Sequence, residues 1–262
     1  VSSLELTLRR WGEGQGRLVD IPFRGLDDLV KIRTGQLLVI SGHAGSGKTT
    51  LCANWAWRAN QPRLYLAQED PFTTIQLLVA LATSQPKDNI RPKDKDHWAD
   101  RLKALRNQPE LDFVTEAQTI EKLESRLIAL NEWLMESPPL VFIDSLFDLK
   151  VEGTNYMDNA YWATVLPALK QLAHTYDVCF VCQHHANKRD GNKSPGTEPL
   201  TLGSLLFGGE KEAAHVWGVY HSENNRQMYV QILKQRNGKA DPSGRLYVTL
   251  DWQPEEGTLL SR

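Results

Sequence analysis

Gly42-His43-Ala44-Gly45-Ser46-Gly47-Lys48-Thr49 fits the pattern G-x-x-x-x-G-K-[ST]. Such a loop turns backbone N–H groups inward around phosphates, and the following helix adds its positive N-terminal end. Gly42 to Thr50 are therefore the candidate nucleotide-binding residues, Gly42, His43, Ala44, Gly45, Ser46, Gly47, Lys48, Thr49 and Thr50. Lys48 is expected to reach the β- and γ-phosphates of ATP, and the Thr49 hydroxyl to bind Mg²⁺. A second magnesium-shell ligand is needed, and Leu140-Val141-Phe142-Ile143-Asp144 supplies it as an acid after four apolar residues. Ligands of open α/β sheets sit at the carboxyl ends of the strands, where Asp144 would lie. Glu69 follows the strand-like Arg63–Gln68 and is a candidate to orient or deprotonate an attacking water; Asp70 is its neighbouring competitor. Gln183 ends another apolar run, where an amide can hydrogen-bond a γ-phosphate.

These residues need a scaffold that brings several strand ends together. Gln36–Ser41, Arg63–Gln68, Leu140–Asp144 and Val178–Cys182 are short and rich in Val, Ile, Leu, Phe and Tyr, the composition of strands buried on both faces. Helix-like stretches lie between them. In Gln118–Glu136, Ile120, Leu123, Leu127, Leu130 and Leu134 recur at alternating steps of three and four, one face of a helix. Met157–Tyr176 is a second helix, expected to bend or restart at Pro167. Strands alternating with helices predict a three-layer α/β fold with a mostly parallel sheet. Near the C-terminus, Trp217–His221, Met228–Lys234 and Arg245–Asp251 predict antiparallel strands added to the edge. The charged stretch Pro86–Arg106 reads as a solvated helix and loop.

The ordered set of P-loop, Glu69, Asp144 and Gln183 resembles the RecA-like core of hexameric replicative helicases, the family of phage primase–helicases, Twinkle and DnaB. The likeness spans about Ile21 to Asp251. Ile21–Leu29 is similar to the family's leading I-P-T-G-containing segment, and the resemblance favours Glu69 over Asp70 for the water. Lys234-Gln235-Arg236-Asn237-Gly238 is similar to the K-x-R-x-G motif, so the resemblance implies that Arg236 is an arginine finger in the neighbouring subunit's ATP site and Lys234 its companion. The candidate catalytic residues are then Lys48, Glu69, Asp144, Gln183, Arg236 and Lys234. Between His185 and Gly209 the family carries DNA-contacting loops. Asn187, Lys188, Arg189 and Lys193 fall there; by themselves they could equally be a solvated loop. One departure is Ala214-His215-Val216-Trp217, where His215 stands in place of the family's acid.

The resemblance further implies ATP and Mg²⁺ as cofactors, single-stranded DNA as partner, a homo-oligomeric ring (a hexamer), primase and polymerase as companions, and 5′ to 3′ translocation. A RecA-fold recombinase or loader, a plasmid RepA-type helicase and a clock-type ATPase acting on protein are the rival readings; a P-loop kinase ranks last.

Composition bounds these readings. Lys and Arg number 30 against 32 Asp and Glu, a net charge of −2, which excludes a uniformly basic nucleic-acid binder. Cys52, Cys179 and Cys182 are too few for a disulfide framework, and Cys179-x-x-Cys182 lacks the second pair of a zinc site. No apolar run is long enough for a membrane span. A cytoplasmic protein of a bacterial or phage-infected cell is expected, or a mitochondrial matrix protein if Twinkle-like. Residues 1–20 are read as a linker that docks on a neighbouring subunit and 21–262 as one ATPase domain. Because the chain opens with Val1, an upstream extension holding a primase is expected.

Overall fold

Leu37–Gly42 (β1), Arg63–Ala67 (β2) and Leu140–Asp144 (β4) are buried at every position. Strands with no solvated face must lie in the middle of a sheet covered on both sides. The computed structural model describes residues 12, 16–91, 98–105, 111–134, 138–155, 157–187, 196–205, 210–224 and 226–261. Within them a nine-stranded sheet runs in the order β3-β2-β4-β5-β1-β6-β7-β8-β9, with β3 at Leu111–Val114, β5 at Cys179–His185, β6 at His215–His221, β7 at Gln227–Gln235, β8 at Tyr247–Gln253 and β9 at Thr258–Ser261. From β3 to β6 neighbouring strands are parallel; from β6 to β9 they are antiparallel.

The helices bounded within the described residues are α1 (Arg24–Leu29), α2 (Lys48–Arg58), α3 (Pro71–Thr83), α4 (Trp98–Leu105), α5 (Ile120–Leu134) and α6 (Asn159–Tyr176). Alternation along each strand divides the core in two. Leu140, Phe142, Cys179 and Val181 join Trp55 of α2 on one face. Val141, Ile143, Phe180 and Cys182 join Leu123 and Leu127 of α5 and Val165 and Leu169 of α6 on the other. Phe142 sits between Tyr65, stacked at 5.4 Å, and Trp55, edge-on at 5.7 Å. Such pairs add about 0.5–1.5 kcal/mol each beyond simple burial. The charged Arg63 is buried because its guanidinium donates to the carbonyls of Ala56 and Gln61, the latter at 2.9 Å.

The three-layer expectation holds, with local differences. β5 runs on to His185, because the ladder to β1 continues as far as Gly42 opposite His185. Gln183 therefore lies inside the strand, not at its end. α6 passes through Pro167 as one element, held by buried Leu166, Leu169 and Leu172 on either side of the imino acid. β6 is antiparallel to β7 but parallel to β1, so it is the last parallel strand rather than the first appended one. β3 and β9 are edge strands that the sequence did not signal. Each is four residues long with one buried position, too short for alternation to register.

Most of residues 1–20 lies outside the described residues. Leu18 bridges Arg33, Val19 and Ile21 are buried in the core, and the Trp55 indole donates to the Asp20 carbonyl at 2.6 Å. Among the described residues no helix is long and apolar enough to cross a membrane.

Removing the Phe142 ring leaves a cavity between two aromatic layers. Phe142→Ala is expected to lower unfolding stability by about 3–5 kcal/mol, read from urea denaturation. A loss below about 1 kcal/mol would mean that Tyr65 and Trp55 close the gap.

Candidate active site

The loop between β1 and α2 is shaped by a backbone that only glycine adopts easily. Gly47, the residue before α2, has φ +93° in the left-handed region, and this turns the chain into the helix. The Ser46 N–H donates to the His43 carbonyl at 3.1 Å, which closes the turn. Lys48, the first helical residue, folds its ammonium back to the carbonyls of Gly42 at 3.1 Å and His43 at 3.2 Å. Burial lowers its pKa, while Glu69 and Asp144 pull it back up. The ammonium thus rests on weak neutral acceptors, which a phosphate oxygen outcompetes.

Asp144 ends β4 and is almost fully buried. Burial raises its pKa to about 6, against opposing pulls from the Thr49 hydroxyl and Lys48. Tyr65 donates its phenol to Oδ2 at 3.3 Å, whereas Oδ1 is buried with no hydrogen-bond partner among the described residues. Gln183 completes a small network. Its Oε1 accepts from the Thr49 hydroxyl at 3.4 Å, and its Nε2 donates to the Tyr65 hydroxyl at 3.4 Å. Lys48, Thr49, Asp144 and Gln183 therefore meet at one end of the sheet.

Glu69 lies two residues past β2. Its backbone N–H donates to the Asp144 carbonyl at 3.1 Å, which holds the two acids at neighbouring strand ends. Its Oε1 stands 3.4 Å from His185 Nε2, and that contact is the largest cause of a lowered pKa. An ionised, weakly basic carboxylate is better suited to orienting a water than to removing its proton early. Asp70 is engaged elsewhere. It caps α3, accepting from the Thr73 N–H at 3.0 Å and the Thr73 hydroxyl at 2.6 Å.

A cavity of about 530 Å³ opens over these groups, lined by Ala44 to Thr50 together with Glu69, Asp144, His185 and Trp252. A magnesium ion fits this donor set. The unsatisfied Asp144 Oδ1 and the Thr49 hydroxyl are hard oxygen donors, and Mg²⁺ takes one or two carboxylates and fills its shell with phosphate oxygens and water. Among the described residues no cluster of three or more His, Cys, Asp or Glu offers a closed metal site. The three cysteines are buried, and burial raises their pKa values, as for core thiols.

Lys234 and Arg236 are not brought to this cavity. β7 pairs antiparallel with β6, placing Gln235 opposite His215, and His215 aligns with Leu38 near the start of β1. The P-loop leaves from the other end of β1. Arg236 is exposed just beyond β7, at the end of the sheet away from its own P-loop. Lys234 Nζ donates to the Glu210 carbonyl at 2.6 Å. Nearby His215 is buried, within 3.0 Å of Gln36 Oε1, and desolvation lowers its pKa to about 4, so it is a neutral interior residue. The exposed Asn187 follows β5 and its N–H donates to the Ser204 carbonyl at 2.8 Å. Lys188, Arg189 and Lys193 lie outside the described residues.

Four residues escaped sequence reasoning. Tyr65, His185 and Trp252 touch or line the site; a phenol in the middle of a strand buried on both faces was the available signal for Tyr65, since a buried hydroxyl needs a partner. Gly196 had no signal of this kind. At φ +80°, it lies against the P-loop so closely that a Cβ there would come within 2.7 Å of the Ser46 nitrogen.

A family profile described as an AAA domain matches residues 21–191. Gene 65 protein of Mycobacterium phage L5 is 20% identical over 228 residues, covering 84% of this chain and 84% of that protein. Gene 65 protein of Mycobacterium phage D29 is 21% identical over 224 residues, covering 82% and 95%. Among solved structures, an isolated ATPase domain superposes with a TM-score of 0.75 at 18% identity, covering 99% of this chain and 97% of that one. A DnaB-like replicative helicase, solved in a study of its interactions with primase, gives 0.74 at 18% identity, covering 99% and 66%. The fold is therefore RecA-like, as expected.

With its pKa raised to about 6 from 3.8, Asp144 favours the folded state when protonated. That contribution is complete below about pH 4 and is lost as pH rises through about 6. In protein free of metal and nucleotide, the urea midpoint should fall across this window in the wild type and stay flatter in Asp144→Asn. Parallel curves would show that other groups carry the dependence.

Proposed function

The chain belongs to the AAA domain family, and from that premise we propose that it is an ATP-hydrolysing motor that forms a ring on single-stranded DNA and acts as a replicative helicase. One observation carries this reading. Lys48, Thr49, Asp144 and Glu69 line the P-loop cavity with Gln183 bonded to Thr49, while Arg236 stands exposed at the opposite end of the sheet. A site complete except for its arginine, together with an arginine that cannot reach its own site, calls for a neighbouring copy.

The roles follow from placement. The loop N–H groups and Lys48 bind the β- and γ-phosphates of ATP. Thr49 and Asp144 would hold Mg²⁺, which when bound neutralises phosphate charge. Glu69 orients the attacking water, and Gln183 reads the γ-phosphate. Arg236 of one subunit stabilises charge developing in the next, with Lys234 beside it. Fingers of this kind are worth ~10³–10⁵ in rate. Asn187, Lys188, Arg189 and Lys193 follow the strand that carries Gln183, and their contacts to DNA phosphates would be independent of sequence. A hexamer, and partnership with primase and polymerase, belong to the same reading. Both phage relatives favour a phage-infected bacterial cell over the mitochondrial matrix.

Arg236→Ala is expected to bind ATP normally and to lose hydrolysis by ~10³-fold or more. Lys48→Ala is expected to lose binding. Mixing the two variants should restore part of the activity, because some interfaces then pair an intact P-loop with an intact arginine. No rescue at any mixing ratio would remove the finger in trans. Imaging with a non-hydrolysable ATP analogue and single-stranded DNA should reveal closed rings; open filaments would favour the recombinase reading.

Lys188→Ala combined with Lys193→Ala should weaken binding about equally for all DNA sequences. The slope of log affinity against log salt should become shallower by roughly 0.7 per lost contact to a single strand. An unchanged slope would take the loop out of the DNA path.

A further inference from the structure

Gln183, His184 and His185 alternate in direction along β5. Gln183 and His185 face the nucleotide side. His184 faces the other layer, packed against Trp162 at 5.2 Å and Phe147 at 5.4 Å, and desolvation lowers its pKa to about 4. His185 is the one of the three that reaches a candidate catalytic acid. Its Nε2 stands 3.4 Å from Glu69 Oε1, and its ring leans on Phe147 at 5.0 Å.

Glu69 needs such a partner. It lies beyond the end of β2, so no ladder constrains its side chain, which is 44% exposed. The other donors near it are drawn elsewhere. Ser145 contributes least to the lowered Glu69 pKa, and its hydroxyl goes to Asp148 at 2.8 Å. Lys48 gives its ammonium to the loop carbonyls. His185 is itself held at the strand end, since the next residue, Ala186, donates its N–H to the Gly42 carbonyl at 3.2 Å. The imidazole is thus fixed on one side by Phe147 and along the backbone by the P-loop strand.

We infer that His185 is the positioning residue of Glu69: a ring N–H on β5 aims the carboxylate at the water beside the γ-phosphate. The inference rests on the reading of Glu69 as the water-orienting acid. It assigns a role to the second histidine of the pair, which the P-loop chemistry alone leaves unused. His185 acts through Glu69, so its removal should slow the chemical step and spare nucleotide binding. A carboxylate misplaced by about 1 Å costs on the order of 100-fold in rate.

The test compares steady-state ATP hydrolysis and binding of a fluorescent ATP analogue in four variants. His185→Phe keeps a ring against Phe147 without a donor and should lower kcat by roughly 10–100-fold, with KM and analogue affinity within about twofold of wild type. His185→Gln restores a donor and should recover most of the rate. Glu69→Gln should be slow, and Glu69→Gln with His185→Phe should be no slower, because residues acting as a unit are not additive. The inference is overturned by wild-type kcat in His185→Phe, by equal loss in the Phe and Gln variants, by an additive loss in the double variant, or by an effect on KM alone. Wild-type turnover in Glu69→Gln would instead overturn the reading of Glu69, and the inference with it.

Discussion

A carboxylate is held at the end of a buried strand with only one of its oxygens satisfied. Asp144 gains a phenol from Tyr65 on Oδ2, while Oδ1 has no partner among the described residues. Burying a charge without full compensation is costly, and the protein answers by raising the pKa to about 6. The penalty is tolerated because the parallel sheet demands a buried strand at that place. β4 lies between β2 and β5, and its four apolar residues hold both halves of the core together. The acid at its tip is carried to the sheet end by the same hydrophobic order. An oxygen left open there is suited to a cation that brings its own compensation.

The neighbouring strands share that constraint. Tyr65 on β2 bonds Asp144 directly, and Gln183 on β5 reaches it through Tyr65, all on the α2-facing side of the sheet. The chain Thr49–Gln183–Tyr65–Asp144 is linked by contacts of 3.3 to 3.4 Å, longer than ordinary hydrogen bonds. Long bonds between polar groups in a low-dielectric interior leave room for shortening when a ligand enters. The site is thereby assembled but not saturated.

How much of this could be read in the sequence follows from the kind of signal each feature leaves. The P-loop and Asp144 were legible because glycine spacing and a run of apolar residues ending in an acid are local. The three layers were legible because alternating elements are local too. Strand limits were less so: β5 extends three residues past its apolar run, where polar Gln183, His184 and His185 are kept in the ladder by pairing with β1. Pairing is a long-range property, and a local reading cannot contain it. The same holds for Pro167, whose tendency to break α6 is overridden by packing on both sides, and for the close approach of Gly196 to the P-loop, which joins segments far apart in the chain.

The position of Arg236 follows from the strand order and bears on the proposed assembly. β6 runs parallel to β1 and β7 returns antiparallel, so whatever follows β7 must emerge at the end of the sheet opposite the P-loop. No side-chain motion can reverse this, because a strand pair rising about 3.3 Å per residue separates the two ends by more than an arginine can span. Turning the chain back would require breaking the ladder. A residue so placed is either irrelevant to ATP hydrolysis or acts on a site in another copy. Lys234 is held by the Glu210 carbonyl and helps fix the end of β7, while Arg236 two residues later is exposed. A fixed stem presenting an exposed guanidinium is the form that the proposed contact between copies would need.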